Sequence, residues 1–442
     1  MRRIKALLLV VTAICVLCPA IAGAQAVPWS EQAYSTLIPS DSARTIPPGT
    51  MITMQNWQQY KDFMPVGMQD IWAGKFFWRL PADAQMKVVA TTPTPLPKQY
   101  QADTEKYANQ VSLVKSSYGG YEIKGYVAGA PFPNPSGPLA GIQILYNEYY
   151  AYIPYLITTY AKLGFGMDRY GNKYVNEVRE VNFKIRHVSD PGKPITIPTN
   201  TPNVFLTQNN VIMEPEQSKY VNSLQIFHDD PADLPESYVF VPSLRRSLRL
   251  TTAARCSPLV GSDYTQDDER SMNLQPPIFQ ARFLGYKKIL VGYPVEGYTD
   301  KNNYFKPLYY PGPNAVVWQV RPVAVLDIRR VPSMQAGYCY GSRMAYIDKE
   351  TWQPIWMDLY DSGLKLWKTG PSIYRPMPLP GTNGDVCTGA GGPGDGEYTF
   401  WDVQNLHMTF DIQSGGQIDQ DAAEYDNYDR WGTPAGMDQV MQ

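Results

Sequence analysis

The chain has 442 residues, 44% of them hydrophobic and 18% charged, enough apolar material for a large core and too little charge for a disordered chain. Removing the three basic residues of the first 26 leaves 36 Lys and Arg against 41 Asp and Glu, a mature net charge of about −5 that argues against nucleic acid as a partner. Proline (39) and glycine (34) are spread throughout without a fixed repeat, so residues 27–442 are expected to form one compact domain.

The first 26 residues stand apart. Arg2, Arg3 and Lys5 precede an apolar run from Ala6 to Leu17, and Ala24-Gln25-Ala26 has the small-x-small form of a cleavage site. This predicts a secretory signal peptide cut near Ala26, and a mature protein in the periplasm or at the outer membrane. The run is shorter than the ~20 residues of a membrane-spanning helix. Val16 and Leu17 stand where small residues would precede a lipidated Cys18.

Residues 27–150 read as a helical, proline-rich part. "TMQNWQQYKDFMPVGMQDIWAG" has apolar residues at near-helical spacing broken by Pro65, and "GIQILYNEYYAY" puts Ile142, Leu145, Tyr149 and Tyr152 on one face. "AGAPFPNPSGP" between them is an extended loop.

From 151 to 415 the pattern changes to short β-branched and aromatic runs separated by turn signals. "DRYGNK", "DDPADLPE", "IDKETW" and "YDSGLK" each lie between two such runs, as hairpin loops do. Around the third and fourth of these, Trp352, Trp356 and Tyr360 are expected on one strand face and Ile355, Met357 and Leu359 on the other. Tyr238 and Phe240 likewise oppose Val239 and Val241. Apolar residues on both faces require a second cover, which is helix, sheet or ligand. Residues 416–442 form an acidic segment expected to be solvated; its spacing fails the calcium-loop pattern.

Three cysteines follow the export signal: Cys256, Cys339 and Cys387. An oxidising compartment permits one bridge, with three possible pairings and one thiol left over.

Little points to catalysis. The only histidines are His187, His228 and His407; there is no HExxH, no zinc or haem spacing and no GxSxG, and no cofactor or metal is expected. His228-Asp229-Asp230 reads as a strand entering a turn. "GTNGDVCTGAGGPGDGE" lacks the lysine of a phosphate loop. Arg245, Arg246 and Arg249 form either a solvated edge or, in the sharper reading, a set of forks for an anionic head group at the rim of an apolar cavity.

Two stretches carry a resemblance. Tyr238, Phe240, Pro242, Leu244, Arg245, Arg246, Leu248 and Leu250, followed by Gly261, Ser262, Asp263, Tyr264, Asp267 and Asp268, resemble the outer-membrane lipoprotein-sorting-like proteins of the periplasmic lipoprotein-carrier (Lol-type) superfamily. The hairpin containing Asp348, Glu350, Thr351, Asp361 and Gly363 is similar too. "NWQQYKDFMPVGM" and "PFPNPSGPLAGIQILYN" resemble a longer branch of that group, a domain of unknown function.

The resemblance implies an α+β fold: a strongly curved antiparallel sheet, an unclosed half-barrel, with helices or an acyl chain in or over its concave face and a helical or irregular N-terminal extension. It also implies a lipid or other hydrophobic ligand, no catalytic residues, and association with an exporter and an outer-membrane barrel protein. Combined with the two-faced strands, it makes Tyr238, Phe240, Arg245, Arg246, Trp352, Trp356 and Tyr360 the candidate ligand-binding residues. Ser262 or Asp263 is expected to cap a short helical turn. A non-catalytic scaffold for a membrane partner is the alternative.

Overall fold

A computed structural model of the chain describes residues 45–441, apart from 77–78, 252–254, 259–260, 270–271, 296–309, 313, 375, 380, 388–396, 413–415 and 419–422. The export segment expected over residues 1–26 lies outside the described residues, as does much of the glycine-rich loop after Cys387.

One large, curved, unclosed antiparallel sheet of 14 strands dominates. The first six are β1 (Leu156–Asp168), β2 (Lys173–Lys184), β3 (Val204–Glu214), β4 (Asn222–His228), β5 (Glu236–Val241) and β6 (Arg246–Leu250). After a long connection come β7 (Phe279–Pro294), β8 (Val316–Arg330), β9 (Ser342–Asp348), β10 (Pro354–Tyr360), β11 (Leu366–Ile373), β12 (Glu397–Asp402), β13 (His407–Ile412) and β14 (Gly416–Ile418).

The strand order is β6-β5-β4-β3-β2-β1-β13-β12-β11-β10-β9-β8-β7, with β14 also pairing β1. The chain therefore meanders out to one edge, crosses to the other through residues 251–278, and meanders back. The two halves join where β13 meets β1.

The four turn signals lie between consecutive paired strands, and short carboxylates shape them. Asp168 Oδ1 accepts from the N–H groups of Tyr170 and Asn172. Asp348 Oδ1 accepts from Glu350 and Thr351, and Asp361 Oδ1 from Gly363 and Lys365. An aspartate that binds the backbone two residues on closes a turn by itself.

Both sheet faces are covered by the chain's own residues. Along β8, β9 and β10, Val323, Val325, Met344, Tyr346, Trp356 and Tyr360 enter one apolar cluster, whereas Ala324, Leu326, Ala345, Ile347, Met357 and Leu359 enter another. Residues 46–88 cover the first cluster as a cap containing helix α1 (Val66–Trp72). Over the second lie helices α2 (Lys98–Tyr107) and α3 (Ala140–Tyr149), with Tyr150–Ile153 and residues 264–279. Gly141 permits that packing, because a Cβ there would strike the Ala281 carbonyl of β7.

Several expectations need correction. The N-terminal part is less helical than its periodicity suggests: Pro65 divides a 3-10 turn (Trp57–Phe63) from α1, and short strand pairs join Met51–Thr53 to Gln85–Lys87 and Ser112–Lys115 to Tyr121–Lys124. Trp352 and Ile355 occupy the faces opposite to those expected. Trp352 stands in the turn with a left-handed φ of 59°, and a register shift between Tyr346 and Ile347 breaks the two-residue alternation there.

The acidic C-terminal segment is not simply solvated. Tyr425, Tyr428, Trp431 and Met437, carried on and around helix α4 (Tyr428–Trp431), are buried against Val181, Phe183, Leu224, Ile226 and Phe240. Its aromatic residues outweigh its charge, which stays on the outer side of the helix.

Candidate functional site

The structure does not gather the seven candidate ligand residues into one surface. Phe240, with Tyr238 beside it, packs in the C-terminal cluster, Trp356 and Tyr360 lie under the cap, and Trp352 belongs to the opposite face. Arg245 and Arg246 are exposed at the sheet edge. What the structure brings together instead is an internal clasp, a cap seam with an aromatic box, and that edge.

The clasp is "GSDYTQDDE", residues 261–269, within the crossing connection. Residues 261–269 form turns without a capped helix: Ser262 Oγ accepts from the Tyr264 N–H two residues on, and the Asp263 carboxylate turns to the sheet. Asp263 Oδ2 lies 2.6 Å from His407 Nδ1 and accepts from Thr409 Oγ1 at 2.7 Å, both on β13. Asp267 accepts from Arg255 and, at 2.7 Å, from Tyr338 Oη. Asp268 accepts from Arg343 of β9 at 2.7 Å and from Tyr340 Oη at 2.5 Å, with Lys368 of β11 4.0 Å away. On the other half of the sheet, Gln266 donates to Ser237 of β5 at 3.1 Å, and Glu269 accepts from Asn210 of β3 and Gln225 of β4.

One short segment thus touches both meanders, and a disulfide between Cys256 and Cys339 ties its start to the β8–β9 connection. Burial raises the Asp268 carboxyl, but Arg343 and Lys368 outweigh that and hold it below the usual carboxylate range. The hydrogen bond to Asp263 raises the His407 imidazole. With Asp267 and Asp268 fully buried, the clasp is a structural ionic network.

Under the cap, Asp358 of β10 is buried, and no cation among the described residues pairs with it. It accepts from Thr369 Oγ1 at 2.6 Å, Trp356 Nε1 at 2.9 Å and the Gly67 N–H of α1 at 3.2 Å. Desolvation pushes its pKa up to about 6. A Cβ at Gly67 would collide with Thr369 Oγ1 and Asp358 Oδ1, so glycine lets the helix terminus meet the carboxylate.

Nearby, the Tyr310 ring stacks on Trp318 and Trp401 with centroids 5.7 and 5.8 Å away, and Trp72 of the cap meets it edge-on at 5.9 Å. The Nε1 atoms of all three tryptophans, and Tyr360 Oη, are buried and have no hydrogen-bond partner among the described residues. Met64, Met68, Met86, Met344 and Met408 belong to the same cluster.

The remaining motif residues hold the fold. Arg321 Nε donates to Asp348 at 2.5 Å, and its Nη2 to Glu350 at 2.8 Å and Thr94 Oγ1 at 2.7 Å, pinning residues 92–94 to the β9–β10 hairpin. Thr351 is buried in that turn, Gly261 takes φ 75°, and Pro242 opens the 3-10 turn after β5. His228 lies 3.7 Å from Glu236, which also binds Arg249 and Tyr238: a strand-end ion cluster. Among the described residues no group of His, Cys, Asp and Glu is arranged for a metal ion.

Arg321, Arg343, Asp358 and Trp401 match no motif in the sequence. A charged residue inside an apolar strand, as in "VRPVAVLDIRR" and "IWMDLY", is the one hint.

Comparison with known proteins gives a family and partial likenesses of fold. A search of curated proteins finds no match. Among solved structures, a domain described as an outer membrane lipoprotein-sorting protein from Vibrio parahaemolyticus is 12% identical, over 65% of this chain and 96% of that one, with a TM-score of 0.44. A DUF1329 family protein from Desulfovibrio piger is 11% identical over 64% and 94%, TM-score 0.44. A LolA superfamily protein from Nitrosomonas europaea is 9% identical over 64% and 94%, TM-score 0.37. Identities and scores this low say nothing of function. The family model described as "Protein of unknown function (DUF1329)" matches residues 51–432, and the chain belongs to that family.

Proposed function

We propose that the protein is a non-catalytic binding protein of the cell envelope that holds an apolar ligand, such as a lipid or lipoprotein acyl chain, between its cap and the sheet. The observation that carries this reading is the aromatic box. An indole N–H buried without an acceptor costs about 1–3 kcal/mol, and three of them surround Tyr310. Tyr310 occupies the place of a guest, and a ligand with a carbonyl or ester oxygen would supply the missing acceptor. Methionines adapt to irregular apolar shapes, and each buried CH2 contributes ~0.8 kcal/mol. Export through residues 1–26, and work alongside an envelope exporter and an outer-membrane barrel protein, are part of the same proposal.

Native mass spectrometry of gently purified protein, with uptake of a fluorescent fatty acid read by tryptophan quenching, tests it. Co-purifying lipid and saturable quenching are expected, the quenching reduced by Trp318→Phe. Absence of both would sink the carrier reading. It would leave the scaffold reading, which the self-filled faces of β8–β10 favour.

A further inference from the structure

The strand order leaves β6 at one end of the sheet, where among the described strands it pairs with β5 alone. Its outer main-chain groups are a template for another strand. Around it, Leu244 is 53% and Leu250 38% exposed, against an ordinary burial of such residues. Arg245, in a left-handed turn at φ 49°, and Arg246 are exposed, and among the described residues neither has an acidic partner. Arg249 reaches Glu236 at 3.3 Å with its side chain 64% exposed. Pairing places Arg246, Leu248 and Leu250 on one face and Ser247 and Arg249 on the other.

A second copy of the chain is a poor occupant, because joining β6 to β6 brings like charges together. An anionic head group would satisfy the guanidinium forks but leave the main-chain edge unpaired. Moreover, the arginines are most of the sheet's width, in strand order, from β10 and the aromatic box. A partner strand with complementary charge satisfies forks, leucines and backbone together.

We propose that β6 is a docking edge for an extended acidic segment of a partner protein, added to the sheet as a further strand. Cross-strand pairing specifies what that segment carries: an acidic residue opposite Arg249, an apolar one opposite Leu248, and an acidic one opposite Arg246. In the antiparallel sense this reads acidic, apolar, any, acidic.

The test uses the full mature chain and a fluorescein-labelled ten-residue peptide, Ser-Thr-Thr-Glu-Val-Thr-Glu-Val-Thr-Ser, with a lysine-for-glutamate version as control. Anisotropy is expected to show binding of the acidic peptide alone, weakened at least tenfold between 50 and 500 mM salt. Arg245→Glu with Arg246→Glu should weaken it at least tenfold, while fatty-acid uptake stays unchanged. Hydrogen exchange should slow at residues 246–250 when the peptide is added. Equal binding by the double variant, or binding without protection at 246–250, would overturn the proposal. So would capture of phosphatidylglycerol vesicles that the peptide does not compete away, which would assign these arginines to a lipid surface.

Discussion

Two neighbouring stretches of one motif meet opposite fates. Residues 244–250 carry three arginines and stand in water at the edge of the sheet, whereas residues 261–269 carry four carboxylates and lie buried across its centre. Charge does not decide which is which. The clasp is internal because its carboxylates find donors on distant elements: His407 and Thr409 on β13 for Asp263, Arg343 on β9 for Asp268, Asn210 and Gln225 on β3 and β4 for Glu269, and Arg255 and Tyr338 of the connections for Asp267. Among the described residues the edge arginines have one acidic partner, Glu236, and they stay where water solvates them. A buried charge is costly unless paired, so burial follows the supply of partners.

The largest effect on that contrast is expected from freeing the clasp. The disulfide closes a separation of 83 residues around it, and chain entropy for such a loop amounts to about 4–5 kcal/mol. Replacing Cys256 and Cys339 by serine should lower stability by up to that amount in urea titration, with hydrogen exchange quickening first at residues 261–269. Next comes Asp268→Asn, which leaves Arg343 and Lys368 buried beside a neutral amide. About 3–4 kcal/mol should be lost, while Asp268→Asn combined with Arg343→Met should recover part of it.

Asp358 sharpens the contrast from the other side, since it is buried without a cation. Its folded pKa of about 6 lies above the ordinary 3.8. Its neutral form therefore contributes stability that is complete below pH 3.8 and lost as the pH rises through about 6. Asp358→Asn should remove that loss, gaining about 1–3 kcal/mol at pH 8 and flattening the pH profile of the melting temperature between 4 and 7. The smallest effect belongs to the edge: reversing Arg245 and Arg246 should change stability by no more than about 0.5 kcal/mol.

Much of the architecture was legible. The turns at Asp168, Asp348 and Asp361, the helix α3 (Ala140–Tyr149), which ends before Tyr152, and the doubled apolar faces of β9 and β10 follow from residue spacing. The site was less legible. Trp72, Tyr310, Trp318 and Trp401 are far apart in sequence and meet where α1 packs over the second meander, which carries Trp318 on β8 and Trp401 on β12. Trp352 and Ile355 defied alternation because a register shift intervenes, and no composition predicts a bulge.

By itself, then, the sequence determined the hairpins and the two-faced strands, since turn chemistry and hydrophobic alternation act over a few residues, while its motifs carried the resemblance that implied the curved sheet. Tertiary structure decided which charges became interior and which stayed at the edge, what covers each face, and that Cys256 rather than Cys387 bridges Cys339. Those outcomes depend on donors and surfaces brought from distant strands, and local spacing carries no record of them.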